Sequence, residues 1–386
     1  MAHNILVTGA AGYIGGSIIA DFLTRNVIPK EHIHAAVRSE EQASALSTLN
    51  VNVVRLDLSN EEAILELLTS NSIDIIIHTA SAIDTRVTLP LIKALGKLRT
   101  ASGKPVYYIH VSLFNVSVIR EGGKEKYLST PIHPFQTNSP KKTSALSAFY
   151  PNNNWPTTIT SDLDAIFPTE KSLTHPYPVR STNIAVIETA KDQDVTIFIV
   201  VPPVVYGRGT GPYNKLSVLF PLFIKAAIDL KTVHQFAENI TINNVHISDL
   251  TTLYALLVQS IVRGDKIASG EEGYYFGIAH NTDWHDIQSR IAGLLASRGL
   301  VTSSEVRLWP SDQYASDALG YPLAYLNALW KSGADLSVER PRSLGWKPEW
   351  DRERFLREID SEIEDVVELG RAKSGMMVDM HRIAKK

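Results

Sequence analysis

Three glycines near the start of the chain constrain its fold more than any other feature. Gly9, Gly12 and Gly15 follow an apolar run at residues 5–7 and precede an amphipathic stretch at residues 17–23. This order is typical of a strand that turns sharply into a helix. Such glycines let the backbone approach a pyrophosphate, whose charge is received by N–H groups at the positive end of the helix dipole. A glycine-rich turn without a ligand is the alternative. The residues predicted to line this dinucleotide site are Gly9, Gly12, Tyr13, Ile14 and Gly15.

Strand and helix patterns alternate through the first half of the chain. The predicted strands after the first one cover residues 33–37, 51–56, 73–77, 106–111 and 195–201. Alternation of this kind is typical of parallel βαβ units, and near-continuous apolar strands suit a sheet covered by helices on both faces. We therefore predict an α/β fold, a doubly wound parallel Rossmann sheet with a smaller C-terminal α/β substrate domain.

The predicted domain boundaries follow from where this alternation stops. Residues 1–207 form the dinucleotide-binding domain, with a long proline-rich insertion at 113–176. Residues 208–370 form the substrate-binding domain, from which strands or helices can return to the first, and 371–386 form a tail. Within the substrate-binding domain we predict short strands near residues 273–277, a helix at 284–295 and a charged helix at 351–369. Because the insertion leaves the carboxyl end of a strand, where such sheets bind ligands, a substrate-covering lid is favoured over a surface elaboration.

Composition excludes several classes of function. The chain has 386 residues, of which 44% are hydrophobic and 20% charged, enough to bury a large core. A net charge of -3 gives no electrostatic reason to expect nucleic acid or an anionic membrane as a partner. There are no cysteines, and the twelve histidines lack the HExxH spacing, so no metal is predicted. We expect a cytoplasmic protein with a small-molecule substrate, and leave a homodimer open.

The glycine spacing, three residues and then three, resembles that of the short-chain dehydrogenase/reductase superfamily in its extended form. That form includes sugar-nucleotide epimerases, dehydratases and dihydroflavonol-type reductases. The resemblance covers most of residues 3–350 and implies an adenine contact, a small-residue loop against the cofactor and a segment beside the nicotinamide. The residues it assigns to these roles are, in order, Asp57, Leu58, Thr79, Ala80, Ser81, Pro202 and Val205.

The end of the second predicted strand indicates which dinucleotide is bound. An acidic residue there would hydrogen-bond the ribose hydroxyls of NAD. Arg38 suits the 2′-phosphate of NADP instead, and residues 37–39 contain no acid. NADP is therefore predicted over NAD, and a solvated surface arginine is the alternative reading of Arg38.

The family's catalytic pattern is incomplete in this chain. Members carry a serine after the fifth strand, then a tyrosine and a lysine four residues later on the next helix. Ser112 fits the serine and Tyr177 is the obvious tyrosine, but Ser181 stands four residues on. A second alignment puts Arg180 at the tyrosine position and Ile184 at the lysine position. Without the lysine cation a tyrosine keeps a pKa near 10, so it could donate a proton but would rarely be the phenolate that oxidation needs.

The predicted reaction is NADP-dependent reduction of a carbonyl of a small or medium organic substrate. Ser112 would hold the carbonyl oxygen, Tyr177 or His175 would supply the proton and Arg180 would stabilise charge. Two alternatives stay open: a redox-silent isomerase, epimerase or lyase, and a dinucleotide-sensing regulator without catalysis.

His246 and Asp249 could be mistaken for a catalytic pair. They belong to a segment, residues 245–250, that resembles a later stretch of the family. The family's chemistry does not use this pair. We predict that Asp249 caps the helix that follows and that His246 packs.

Overall fold

The computed structural model describes residues 3–112, 119–121, 124–126, 161–173, 178–326, 330, 336–370 and 381. Two of the predicted catalytic residues, His175 and Tyr177, lie outside the described residues, as does most of the insertion at 113–176.

The described strands and helices alternate as predicted through the first half. The strands are β1 (Asn4–Thr8), β2 (Ile33–Val37), β3 (Asn52–Arg55), β4 (Ile73–His78), β5 (Tyr107–Val111), β6 (Ile119–Glu121), β7 (Lys124–Lys126), β8 (Thr196–Val201), β9 (Val204–Tyr206), β10 (Val233–Gln235), β11 (Thr241–His246), β12 (Tyr274–Phe276), β13 (His280–Asp283) and β14 (Val306–Leu308). The α-helices are α1 (Tyr13–Arg25), α2 (Glu40–Leu46), α3 (Glu61–Ser70), α4 (Thr85–Ser102), α5 (Ile166–Ser172), α6 (Pro178–Asp192), α7 (Leu219–Leu230), α8 (Ile247–Arg263), α9 (Trp284–Ser297), α10 (Asp312–Leu319), α11 (Arg340–Ser343), α12 (Arg352–Glu358) and α13 (Asp360–Leu369).

The centre of the fold is a seven-stranded sheet in the order β12-β8-β5-β4-β1-β2-β3. Every neighbouring pair in it is parallel. Helices α3, α4 and α6 pack beside one another, and α1 packs on α8. The predicted doubly wound parallel Rossmann sheet is therefore confirmed. The strand order reverses at β1 and β4, and sheets of this class bind ligands in the crevice at that switch point.

Side-chain caps start α2, α3 and α4, but not α1. Ser39 accepts the Gln42 N–H at the start of α2, and Asn60 accepts the Ala63 N–H at the start of α3. In contrast, α1 begins after Gly12 with no side-chain cap and no acidic residue in its first turn. The backbone N–H groups at this helix end are therefore left for another acceptor.

Two hydrophobic cores organise the described residues. The first spans the central sheet and its helices and includes the buried face of α8. The second is built around aromatic side chains of the later elements, such as Phe220 on α7, Trp284 on α9 and Phe355 on α12. A three-stranded sheet, β13-β11-β9, joins the segment after β8 to these later elements.

Two expectations about the second half need correction. The short strand expected near residues 273–277 as part of the smaller domain pairs with β8 and forms the edge of the main sheet. The single charged helix expected at residues 351–369 is two helices, α12 and α13. The chain turns between them at Ile359, whose side chain is buried in the second core.

Candidate dinucleotide-binding and active site

The glycine loop after β1 packs directly against the loop after β4. Gly9 has a φ of +70°, and an added Cβ there would lie 2.8 Å from the Ala80 backbone nitrogen. The Gly12 N–H donates to the Gly9 carbonyl at 2.7 Å, which closes the turn. An added Cβ at Gly15 would overlap that same carbonyl oxygen. The predicted glycine and small-residue segments thus meet at the switch point of the sheet, and only glycine allows backbone this close.

The loop after β4 uses its side chains to hold its own shape. The Thr79 hydroxyl donates to the Thr8 carbonyl at 2.8 Å, tying β4 to β1 beyond the last pair of the ladder. The Ser81 hydroxyl accepts the N–H groups of Ile83 and Asp84 at 3.3 and 3.1 Å. These bonds leave backbone and small side chains as the wall of the crevice beside α1.

Two arginines stand at the ends of neighbouring strands on the far side of the crevice. Arg38 follows β2, is exposed, and makes no ion pair with any residue the structure describes. Arg55 ends β3 and pairs in register with Val37, the residue before Arg38, so the two arginines stand at the same corner of the sheet. Arg55 Nη1 lies 3.1 Å from Glu40 Oε2, and both of these side chains are exposed. Arg55 was missed in the sequence because only the strand register brings it beside Arg38.

Asp57 and Leu58 follow β3 at the same edge of the sheet. The Asp57 carboxylate accepts the Ser59 N–H at 2.9 Å and the Ser59 hydroxyl at 2.7 Å, which lower its pKa. Leu58 is buried in the first core. Asp57 therefore stays ionised at neutral pH at the predicted adenine edge.

Ser112 comes directly after β5 and is almost fully buried, at 1% exposure. Its N–H donates to the Val200 carbonyl at 2.8 Å, while its hydroxyl has no hydrogen-bond partner among the described residues. Tyr108 and His110 precede it at two-residue spacing, so the three side chains share one face of the strand. Tyr108 and His110 are also fully buried, and their polar side-chain atoms find no partner within the described part of the chain.

His78 lies beside this polar row on β4. Its ring stacks on that of His110 with centroids 5.7 Å apart. Nδ1 lies 2.7 Å from the Thr8 hydroxyl, and Nε2 lies 3.1 Å from the Ser81 carbonyl and 3.2 Å from the Thr88 hydroxyl. Burial lowers the pKa of His78 to about 4. It is therefore neutral at pH 7. Its ring connects Thr8 of β1 to the Ser81 carbonyl in the loop after β4. The alternation of Tyr108, His110 and Ser112 was visible in the sequence but was not recognised as a polar row.

The helix that would carry the family's tyrosine and lysine is α6. Ile184 is partly buried against the first core, and Ser181 is exposed. Arg180 is partly buried, and its charge acts on Glu170, whose pKa it lowers against the larger effect of burial. Both alignments therefore leave the lysine position without a cation on this helix.

Pro202 is buried at the end of β8, and Val205 is half-buried on β9, where it pairs with Val245. These residues lie where the chain leaves the main sheet and enters the three-stranded one. Their predicted contact with the nicotinamide remains a prediction.

His246 packs, as predicted. Its ring stacks on Trp350 with centroids 3.9 Å apart. The prediction for Asp249 was wrong, because α8 begins at Ile247 and His246, not Asp249, accepts the first-turn N–H of Ser248. The Asp249 carboxylate points to the C-terminal segment instead, where it accepts backbone N–H groups at 2.9 and 3.0 Å.

Comparison with known proteins agrees with this geometry. Residues 5–92, which include the glycine loop and the loop after β4, match the NAD dependent epimerase/dehydratase family. No protein of curated function matches the sequence significantly.

Solved structures are similar to this chain over most of its length. UDP-glucose 4-epimerase of Thermus thermophilus, crystallised with NAD, has a TM-score of 0.55 at 15% identity, over 94% of this chain and 99% of its own. The dTDP-glucose 4,6-dehydratase of Bacillus anthracis, also with NAD, has a TM-score of 0.59 at 14% identity, over 95% and 98%. A nucleoside-diphosphate-sugar epimerase of Pseudomonas aeruginosa has a TM-score of 0.57 at 15% identity, over 95% and 98%. The chain therefore shares the fold of these three proteins.

The described ranges contain neither a membrane-spanning helix nor a metal cluster. None of the helices described is both long and apolar enough to cross a bilayer. No group of three or more histidine and carboxylate side chains in these ranges is arranged to hold a metal ion.

Proposed function

We propose that this chain is an NADP-dependent oxidoreductase of the extended short-chain type that reduces a carbonyl of a small or medium organic substrate. The observation that carries the proposal is at the carboxyl ends of β1, β4 and β5. There the glycine-lined crevice and the uncapped start of α1 lie one strand away from Ser112, whose buried hydroxyl lacks a partner among the described residues.

The residues of the crevice fit a dinucleotide. The N–H groups at the start of α1 would receive the pyrophosphate, and Arg38 with Arg55 would receive the 2′-phosphate. When bound, the cofactor supplies a hydride to the substrate. The residues proposed to hold it are Gly9, Gly12, Tyr13, Ile14, Gly15, Arg38, Asp57, Leu58, Thr79, Ala80, Ser81, Pro202 and Val205.

The chain's own residues would bind and protonate the carbonyl oxygen. The Ser112 hydroxyl would donate a hydrogen bond to that oxygen, and Tyr177 or His175 would give it a proton. Arg180 would stabilise negative charge nearby. A tyrosine without an adjacent lysine stays protonated at neutral pH, which suits reduction and disfavours oxidation.

The proposal also covers what surrounds the site. The insertion at residues 113–176 would cover the nicotinamide end and exclude water from the reaction. Residues 208–370 would supply most of the substrate pocket. The cytoplasmic location and the open question of a homodimer remain as predicted.

Consumption of NADPH over a panel of aldehydes and ketones tests the reaction. We expect turnover by the wild-type chain and a loss of about 10²- to 10⁴-fold for Ser112→Ala and for Tyr177→Phe, the usual worth of a positioned proton donor. Ser102→Ala, at the exposed end of α4, is the matched control and should leave the rate unchanged.

The other outcomes separate the alternatives. An unchanged rate for Tyr177→Phe together with a loss for His175→Gln would assign the proton to His175. Conversion of a substrate with no net NADPH consumption would contradict the reductase and favour an epimerase, isomerase or lyase. Dinucleotide binding without turnover on any substrate would favour the regulator.

A further inference from the structure

Residues 207–211, here called the 207–211 loop, lie against the first turns of α1. The Tyr13 hydroxyl donates to the Gly207 carbonyl at 2.7 Å. The Thr210 N–H donates to the Ser17 hydroxyl at 3.2 Å. An added Cβ on Gly209 would lie 2.8 Å from the Tyr13 ring, so the loop has no room to move toward the helix. The start of α1 is therefore supported from outside by this loop.

Gly207 is held from both sides of its backbone. Its carbonyl accepts the Tyr13 hydroxyl, and its N–H donates to Glu362 Oε1 on α13 at 2.5 Å. Its φ is +91°, and an added Cβ would overlap the His246 ring. One residue thus joins the glycine loop of the N-terminal segment to a carboxylate near the end of the chain.

Glu362 is buried, at 3% exposure. Burial raises the pKa of Glu362 to about 7, the Gly207 N–H counteracts that rise, and the charge of Asp365 adds to it. Tyr13 and Tyr206 are the buried hydroxyls on which the charge of Glu362 acts from neighbouring elements. Burying a carboxyl group costs free energy, and the hydrogen bond from the Gly207 N–H offsets part of that cost.

A second attachment holds the next residue of the loop to the same helix. Arg208 Nη1 lies 2.8 Å from Asp365 Oδ1, and Arg208 also contacts Glu368 at 2.6 and 2.7 Å. Glu362, Asp365 and Glu368 follow one another at three-residue spacing along one side of α13. Helix α13 therefore binds two consecutive residues of the 207–211 loop, Gly207 and Arg208.

We propose that Glu362 is a positioning residue for dinucleotide binding. It fixes Gly207, Gly207 fixes the Tyr13 hydroxyl, and Tyr13 sits in the first turn of the helix that receives the pyrophosphate. The inference rests on the proposed binding of a dinucleotide at α1. It adds that the affinity is controlled from α13, which contributes no residue to the proposed crevice.

Titration with NADPH, followed by the nucleotide's fluorescence, tests this role in the full-length chain. Glu362→Met removes the acceptor and should weaken binding about ten-fold, the worth of one lost hydrogen bond to a charged group. Glu362→Gln keeps an acceptor oxygen and should bind within about two-fold of wild type. Glu364→Met, an exposed carboxylate on the same helix paired with Arg298, is the matched control and should bind as wild type does.

A second set of variants keeps the test decisive if Glu362→Met does not fold. Tyr13→Phe removes the other bond to Gly207 and should also weaken NADPH binding several-fold. Because both side chains act through Gly207, the double variant should lose little more than the weaker-binding single variant. Additive losses, or wild-type affinity in both Glu362→Met and Tyr13→Phe, would overturn the positioning role while leaving the proposed function intact. If the wild-type chain bound neither NADPH nor NADH, the proposed function would fall and this inference with it.

Discussion

The corner formed by Arg38 and Arg55 is where a single side chain should decide the choice of cofactor. In the proposed function, a phosphate on the ribose 2′ oxygen would approach Arg38, which follows β2, and Arg55, which ends the neighbouring β3 and lies close to Glu40. NAD offers only hydroxyls, and residues 37–39 contain no acid to bind them. In the proposed function, the preference for NADP would therefore come from charge rather than shape.

We predict that NADPH binds more tightly than NADH and that Arg38→Ala lowers that preference by about ten- to hundred-fold. Arg55→Ala should lower it less, because Glu40 competes for that guanidinium. Arg25→Ala, at the other end of α1 and paired with Asp21, should change nothing. Calorimetric titration with both nucleotides measures the four affinity ratios, and equal affinities in the wild type would contradict the assignment.

Residues whose constraint is local could be interpreted from the sequence. The glycines of the loop after β1 are an example, since backbone crowding at Gly9 permits no other residue. Asp249 and Glu362 are counterexamples. Their partners lie about 100 and 155 residues away along the chain. The local sequence around either carboxylate therefore does not predict which backbone N–H group it accepts.

At the scale of elements, the attachment of α5 to the sheet depends on one buried carboxylate. Glu170 accepts the Tyr274 hydroxyl of β12 at 2.6 Å and the Asn183 amide of α6 at 3.1 Å. Burial raises the pKa of Glu170 to about 7 against these two hydrogen bonds and the charge of Arg180. The edge strand, α5 and α6 thus meet at a group that titrates near neutral pH.

This titration should make stability fall as pH rises. Between 4.5, the ordinary pKa, and about 7, the folded chain holds a proton on Glu170 that the unfolded chain has lost. The stabilisation that comes from this higher pKa is fully present below pH 4.5 and is lost as the pH rises through about 7. Relative to Glu170→Gln, the wild type should lose up to about 1.4 kcal/mol of unfolding free energy per pH unit in that window.

Urea unfolding of both proteins at pH 5, 6, 7 and 8 measures this difference. Glu188→Gln removes an exposed carboxylate of α6 paired with Lys171 and is the control for the substitution itself; the pH dependence expected for Glu170→Gln is measured against it. A pH-independent difference for Glu170→Gln would show that the carboxyl is not protonated in the folded chain. Glu362 is unchanged in all three proteins, so its own titration cancels.

Elements with long periodic patterns were predicted within a few residues. The six strands from β1 to β8 of the main sheet have apolar runs that suit only a covered sheet, and α9 begins at Trp284 as expected. The seventh strand, Tyr274–Phe276, is three residues long, and its sequence does not say which edge it joins. Pairing with β8 depends on the path of residues 202–273, which no local pattern encodes.

At the scale of the whole molecule, the C-terminal segment ties the two cores together. Asp249, at 4% exposure, accepts the N–H groups of Glu349 and Trp350, while its carbonyl accepts the Trp346 indole. Trp346 belongs to the first core and Phe355, a few residues on, to the second. The segment therefore crosses from one core to the other at Asp249.

We expect Asp249→Ala to lower the free energy of unfolding by about 2 kcal/mol, because two backbone N–H groups lose their acceptor. Asp249→Asn keeps one acceptor and should cost about half as much. Asp286→Ala, which removes an exposed ion pair with Arg352, should cost less than about 1 kcal/mol. Urea denaturation measures the free energy of unfolding of all three variants. If Asp249→Ala lowered it no more than Asp286→Ala does, Asp249 would not connect the C-terminal segment to the first core.

The late arrival of β12 has a consequence for synthesis on the ribosome. β8 is complete at Val201, but its partner begins at Tyr274, so 72 residues must be translated before that edge is covered. At about 5–20 residues per second this takes roughly 4 to 14 s, during which an apolar strand edge is open to other nascent chains. The carboxylate on α13 emerges later still. A chain released before residue 362 therefore lacks the carboxylate that holds Gly207, and in the proposed role its weaker nucleotide binding would report that translation had stopped early.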